Sequence, residues 1–181
     1  MKVGIAGVGG IGSNVAVHLV RVGCCSLKIV DFDRVELSNL NRQFYFRDQI
    51  GGHKVAMLRD NLLRMAPETR IVPLVLRLTA ENMLLTFSDC QLLVEGFDDQ
   101  ESKKLLVETF ADQDIPIISA SGIAGRDLDS IRVHNLGSCT IVGDFTTDFR
   151  EQELYSPKIT VIAAMMADFV LKTIEQSIQH D

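Results

Sequence analysis

Apolar residues recur along this chain with two spacings that take turns. Short, nearly continuous runs at residues 2–6, 26–31, 69–76, 91–95 and 115–120 read as buried strands. Between them the spacing widens to that of a helix. Ile11, Val15, Leu19 and Val22 fall on one face of a first helix, which Gly23 closes. Val55, Leu58, Leu62 and Met65 stripe a second helix over residues 52–65, with Pro67 just past its end. A short helix is expected over residues 80–87 and another over 101–110. A last helix runs over 158–177, with Ile162, Met166, Phe169 and Ile174 on one side. Residues 132–134 and 139–142 read as two further short strands, and Pro73 suggests that the third strand lies at an edge or carries a bulge. Residues 33–51 show neither period. A polar loop of that length in a compact domain is usually functional.

Strand–helix alternation of this kind packs as a mostly parallel sheet with helices on both faces, and residues 1–181 are expected to form one domain. Such sheets bind ligands in the crevice at the carboxyl ends of their strands. Gly7, Asp31 and Asp98 each fall just after an expected strand, so the topology can bring them together.

Composition narrows the class. The 181 residues are 46% hydrophobic and 23% charged, ordinary for a globular protein, and carry a formal charge of −6. That charge disfavours nonspecific binding to nucleic acid or to an anionic membrane surface. No run is long and apolar enough to span a bilayer, and the first residues lack an export pattern, so the expected location is the cytoplasm. The cysteines, Cys24, Cys25, Cys90 and Cys139, form no C-x-x-C pair, so no zinc is expected and the thiols are expected to be free. His18, His53, His134 and His180 are scattered without a metal-ligand spacing.

The candidate chemistry lies in one ordered constellation. Gly7, Gly9, Gly10 and Gly12 form a G-x-G-G-x-G turn between the first strand and the first helix. The first glycine allows the tight turn, the second lets a phosphate approach the backbone, and the last lets helix and strand pack closely. Free N–H groups and the positive dipole end then face an anion. Together these features define a Rossmann-like, doubly wound α/β fold. Asp31, 24 residues after Gly7, is placed to accept hydrogen bonds from ribose hydroxyls. Asp33 either reaches the site or caps the loop.

A dinucleotide oxidoreductase would use these groups and leave Arg42 and Lys54 without work. Two fixed cations suit a reaction that expels pyrophosphate, because they stabilise charge that builds on the leaving group. Asp98, on the turn after the fourth strand, suits a magnesium ion shared with phosphate oxygens, or else a helix N-cap; Asp99 is an alternative for either role. Cys139 is the cysteine most worth testing as a nucleophile, although small buried thiols are usually core residues.

These residues resemble the ThiF/MoeB/HesA family, relatives of the ubiquitin-activating enzymes. The matching stretches are Gly7–Gly12, Asp31-Phe32-Asp33, Ser38-Asn39-Leu40-Asn41-Arg42-Gln43, Gly51-Gly52-His53-Lys54, the strand end at Gly96-Phe97-Asp98-Asp99, and Pro157-Lys158-Ile159 leading into an alanine-bearing helix. The resemblance implies ATP-dependent adenylylation of the C-terminal glycine carboxylate of a small ubiquitin-like sulfur carrier. Asp31 would then bind ribose, Arg42, Lys54 and Asn39 the phosphates, and Asp98 magnesium, in a homodimer. The compact form is most similar to short ThiF proteins linked to thiamine biosynthesis, which makes a ThiS-like carrier the expected partner. Four features depart from the family. Longer members carry zinc-binding cysteine pairs and an N-terminal helix whose arginine enters the partner's site, whereas this sequence opens on its first strand. Lys103 stands where an arginine is common, and the segment around Cys139 is short. Alternatives are adenylylation of another acceptor, such as a molybdopterin-type carrier, a small molecule or a tRNA carboxylate; an NAD-dependent oxidoreductase; and a nucleotide-binding scaffold without activity.

Overall fold

The computed structural model describes residues 1–24 and 26–178, so Cys25 and His180 lie outside the described residues. Among these, seven strands form one sheet: β1 (Val3–Ala6), β2 (Ser26–Val30), β3 (Arg70–Leu74), β4 (Leu92–Glu95), β5 (Ile117–Ala120), β6 (Arg132–Leu136) and β7 (Cys139–Gly143). Their spatial order is β3-β2-β1-β4-β5-β7-β6. All neighbours are parallel except the β6–β7 hairpin. Five helices join them: α1 (Gly10–Arg21), α2 (Lys54–Leu63), α3 (Met83–Thr86), α4 (Gln100–Phe110) and α5 (Ser156–Ile178).

The helices divide between the two faces of the sheet, as the alternation predicts. Ile11, Val15 and Leu19 of α1, Val55, Leu58 and Leu62 of α2, and Ile159, Ile162 and Met166 of α5 bury one face. Met83 of α3, Phe87, and Leu106 and Phe110 of α4 bury the other. Strands β1, β4 and β5 are buried along their whole length, which is why they read as continuous apolar runs rather than alternating ones. Pro73 lies on β3, an edge strand, where its missing donor costs little.

Several boundaries shift. Val22 caps the C-terminus of α1 and is exposed, not part of its inner face. The third helix contracts to one turn at Met83–Thr86. The last helix opens two residues early, at Ser156, because Pro157 in its first turn has no N–H to leave unsatisfied. Its inner face is Ile159, Ile162, Ala163, Met166 and Val170, with Phe169 and Ile174 only half-buried. The 33–51 loop is more ordered than its polarity suggests, with 3₁₀ turns at Leu37–Asn39 and Arg47–Gln49.

Strand order reverses between β1 and β4, and the carboxyl ends of these two strands come into close contact. Gly7 has φ +84°, and a Cβ there would meet the Gly96 carbonyl oxygen at 2.9 Å. A Cβ on Gly12 would lie 1.9 Å from the Gly7 carbonyl oxygen, so any side chain would push α1 off the sheet.

Candidate active site

At this reversal the carboxyl ends of the strands open into a cleft of about 240 Å³. Gly7, Gly9 and Gly10 form its floor, Asp31, Asp33 and Lys54 one side, Arg42 and Gln43 another, and Asp98 a third. Eight of the residues expected to form a site therefore line one cavity. Gly12 sets the packing beneath it.

The α1 N-terminus has Gly9 as its N-cap, and no side chain caps it. Its first N–H groups and dipole therefore remain available to an anion. The carboxylate of Asp31 is held by the backbone: Oδ2 accepts from the Val8 amide (2.8 Å) and Oδ1 from the Asp33 amide (2.8 Å). Burial raises its pKa, and those two amides and the Lys54 charge offset only part of the rise. Asp33 does contact the site. Its Oδ2 accepts from Lys54 Nζ at 2.8 Å, while its carbonyl accepts from the Lys54 amide at 2.9 Å. Lys54 is buried, and this pair fixes its ammonium at the first residue of α2.

The 33–51 loop is tied onto α1. Tyr45 donates its buried hydroxyl to the Val8 carbonyl (2.7 Å), the Phe44 amide donates to Ser13 Oγ (3.1 Å), and Asn14 Nδ2 donates to the Gly10 (2.6 Å) and Arg42 (2.9 Å) carbonyls. Arg42 is thereby placed above Gly10. Its Nη1 donates to the Ser38 carbonyl (2.9 Å) and to Asn41 Oδ1 (2.8 Å), which leaves Nε and Nη2 for a ligand.

Asn39, expected to hold phosphates, is not among the residues lining the cleft. Its buried side chain accepts from the Glu36 amide (3.0 Å) and so holds the 3₁₀ turn from which the chain reaches Arg42. Asp99, not Asp98, caps α4, accepting from the Ser102 amide at 2.7 Å. Asp98 is exposed at the rim, and no described residue forms a hydrogen bond or ion pair with its carboxylate. Cys139, the cysteine singled out for testing as a nucleophile, takes the alternative place of a core thiol. It begins β7, buried, and burial with the nearby Glu95 charge pushes its thiol up to about 11. A thiol in that state is a core group, not a nucleophile.

Other groups that line the cleft were not among the expected site residues. Phe32 lines it with the Arg77 guanidinium 4.0 Å above its ring, beside Leu76 and Leu78. Ile123, Phe149, Leu154 and Ile159 form an apolar wall. Gln43 Oε1 is buried with no partner among the described residues, an acceptor that a ligand hydroxyl or amine would satisfy.

The chain belongs to the ThiF family, whose model matches residues 1–181. Ubiquitin-like modifier-activating enzyme 5 of Caenorhabditis elegans is 45% identical over 69 residues, 38% of this chain and 16% of that protein. The adenylyltransferase and sulfurtransferase UBA4 of Meyerozyma guilliermondii is 26% identical over 178 residues, 94% of this chain and 42% of its own length. The chain thus spans less than half the length of these curated relatives. Among solved structures, the tRNA N6-threonylcarbamoyladenosine dehydratase TcdA of E. coli, in complex with AMP, superposes with a TM-score of 0.88. It is 19% identical, over 99% of this chain and 88% of that one, a likeness of fold.

Proposed function

We propose that this domain adenylylates a carboxylate at the expense of ATP. The observation that carries the reading is the convergence on one cleft of a free helix N-terminus, a ribose-side carboxylate, two positioned cations and an unengaged carboxylate. In the proposed reaction the acceptor carboxylate attacks the α-phosphate. A carboxyl O–P bond forms, the bond from that phosphorus to the β-bridging oxygen breaks, and pyrophosphate leaves. No protein nucleophile is required, so in-line positioning and charge stabilisation supply the catalysis. Lys54 and Arg42 take up charge on the leaving pyrophosphate, Asp31 accepts from the ribose, and Gly9 and Gly10 bring backbone N–H groups to the phosphates.

The donor set fits magnesium held by one carboxylate and phosphate oxygens. Asp98 would be that carboxylate, and the cation would neutralise phosphate charge. Among the described residues no three His, Cys, Asp or Glu side chains gather into a metal site of their own.

The acceptor is proposed to be the Gly-Gly C-terminus of a ThiS-like carrier, used in thiazole assembly, with the enzyme acting as a cytoplasmic homodimer. The apolar wall of Ile123, Phe149, Leu154 and Ile159 supports a peptide tail that carries a single terminal carboxylate better than a polyanionic tRNA, as does the net charge of −6. ATP–pyrophosphate exchange tests the reading, with magnesium, a carrier ending in Gly-Gly, and the variants Arg42→Ala and Asp98→Ala. Carrier-dependent exchange that falls about 100-fold or more with Arg42→Ala, and is likewise lost with Asp98→Ala, is the expected result. Exchange with tRNA instead of the carrier would replace the acceptor. Tight NAD binding without exchange would replace the reaction.

A further inference from the structure

A buried carboxylate, separate from the groups assigned to the nucleotide, holds the turn that bears Asp98. Glu95 ends the apolar strand β4 and is fully buried. Its Oε1 accepts from the Phe97 amide (2.7 Å) and from Lys103 Nζ (2.9 Å), and its Oε2 from Lys103 Nζ (2.8 Å) and Ser119 Oγ (2.6 Å). Lys103, in the second turn of α4, also donates to the Ala120 carbonyl (3.2 Å). One carboxylate therefore joins the ends of β4 and β5, the start of α4, and the amide immediately before Asp98.

A pair whose carboxylate is fully buried is a poor source of stability, since apolar residues of similar volume often serve as well. What it supplies is geometry. The Gly96 amide donates to the Ala6 carbonyl (2.8 Å) and fixes the start of the turn. The Asp99 cap fixes its end. Asp98 lies between two anchored points and lines the cleft, exposed, with its carboxylate unengaged by any described residue.

We propose that Glu95, Lys103 and Ser119 are positioning residues for Asp98, holding its carboxylate where a divalent cation bound to the nucleotide phosphates is met in a single arrangement. This rests on the reading of Asp98 as the cation's carboxylate. Glu95→Gln keeps the volume but turns a donor toward Lys103 or Ser119, which releases one of the anchored contacts.

Calorimetric binding of a non-hydrolysable ATP analogue, with and without Mg²⁺, and Mg²⁺ titration of pyrophosphate exchange test it together. In Glu95→Gln the Mg²⁺ requirement is expected to rise about 10–100-fold, as for groups that orient a metal ligand, while metal-free nucleotide binding is unchanged. Lys103→Met shifts the requirement the same way, and Lys103→Arg, which keeps the charge and the donors, shifts it less. Ser119→Ala leaves the Glu95–Lys103 pair intact, is the milder variant should Glu95→Gln fail to fold, and shifts the requirement in the same direction. Wild-type Mg²⁺ dependence in folded Glu95→Gln and Ser119→Ala, with Asp98→Ala impaired, overturns the proposal. Wild-type Mg²⁺ dependence in Asp98→Ala overturns the underlying reading, and the network then has no carboxylate to position.

Discussion

Asp31 and Cys139 show how single residues acquire or lose a chemical role through their surroundings. Both are displaced upward in pKa by burial. For Asp31 this has a functional sign. In the proposed ribose role its protonated form would be a poorer acceptor than the carboxylate, so acidification is expected to weaken nucleotide binding, and at a higher pH than for a carboxyl at the ordinary 3.8. ATP affinity measured by calorimetry across the acid range is expected to fall as pH drops. Asp31→Asn should bind about 10-fold or more weaker at neutral pH and be flat over the same range, since a charge-assisted hydrogen bond contributes about 1.5–3 kcal/mol. A wild type as flat as the variant would remove Asp31 from the ribose. For Cys139 burial removes reactivity. A thiol pushed to about 11 is almost wholly protonated at pH 8, and the core shields it as well. Iodoacetamide followed by peptide mass spectrometry is expected to leave Cys139 unmodified in the native protein and to label it once unfolded. Cys139→Ser should support wild-type exchange, whereas its loss would return this thiol to the chemistry.

The 33–51 loop and α1 act as one element. Three side chains from either partner, Tyr45, Ser13 and Asn14, hold the loop over the helix N-terminus, so Arg42 depends on contacts remote from it in sequence. Tyr45→Phe removes only an oxygen, yet it leaves the Val8 carbonyl buried beneath the glycine turn without this donor. The expected cost is about 1–3 kcal/mol in urea unfolding, together with a higher KM for ATP. An unchanged KM would show that the loop is held without this bond. What could be read in advance follows the same division between local and remote. The strands, the glycine turn and the edge position of Pro73 depend on local period and on backbone chemistry, which neighbouring residues declare. The partner of Lys54, the turn-holding role of Asn39 and the choice of Asp99 over Asp98 as cap depend on which atom reaches which, and spacing leaves that open. Glu95 was legible only as a charge at the end of the run Leu92-Leu93-Val94, and its partners lie 8 and 24 residues away. Of the apolar cleft wall only Ile159 fell in a stretch with a signal, because Ile123, Phe149 and Leu154 come from segments without a period.

Across the whole molecule the sheet supplies the crevice, and a second buried ion pair assembles its far wall. Lys158, fully buried in the first turn of α5, donates to Asp144 Oδ2 at 2.5 Å and to the Ala124 carbonyl at 2.6 Å. Ala124 adjoins Ile123, Asp144 opens the segment that carries Phe149 and Leu154, and Lys158 precedes Ile159. One ammonium thus gathers the three segments that form the apolar wall. Burial by itself would raise the Asp144 carboxyl, but the Lys158 ammonium and the amides of Thr146 and Thr147 outweigh it and hold the group well below the usual carboxylate range. A carboxyl depressed in the folded state stabilises the protein above its unfolded value near 3.8, and that contribution is lost as pH falls toward the folded value. Lys158→Met keeps the length of the side chain and leaves a buried carboxylate without its cation, so a loss of about 3–5 kcal/mol is expected at neutral pH in denaturant unfolding. Asp144→Asn in the same background still accepts from the Thr146 and Thr147 amides but carries no charge, and should recover part of that loss. The gap between Lys158→Met and wild type should narrow on acidification, because protonating Asp144 removes the unpaired charge from the variant while it weakens the pair in wild type. A gap that stays constant with pH would mean that Lys158 acts by packing alone, and that hydrogen bonds and apolar contact, not charge, hold the three segments of the wall together.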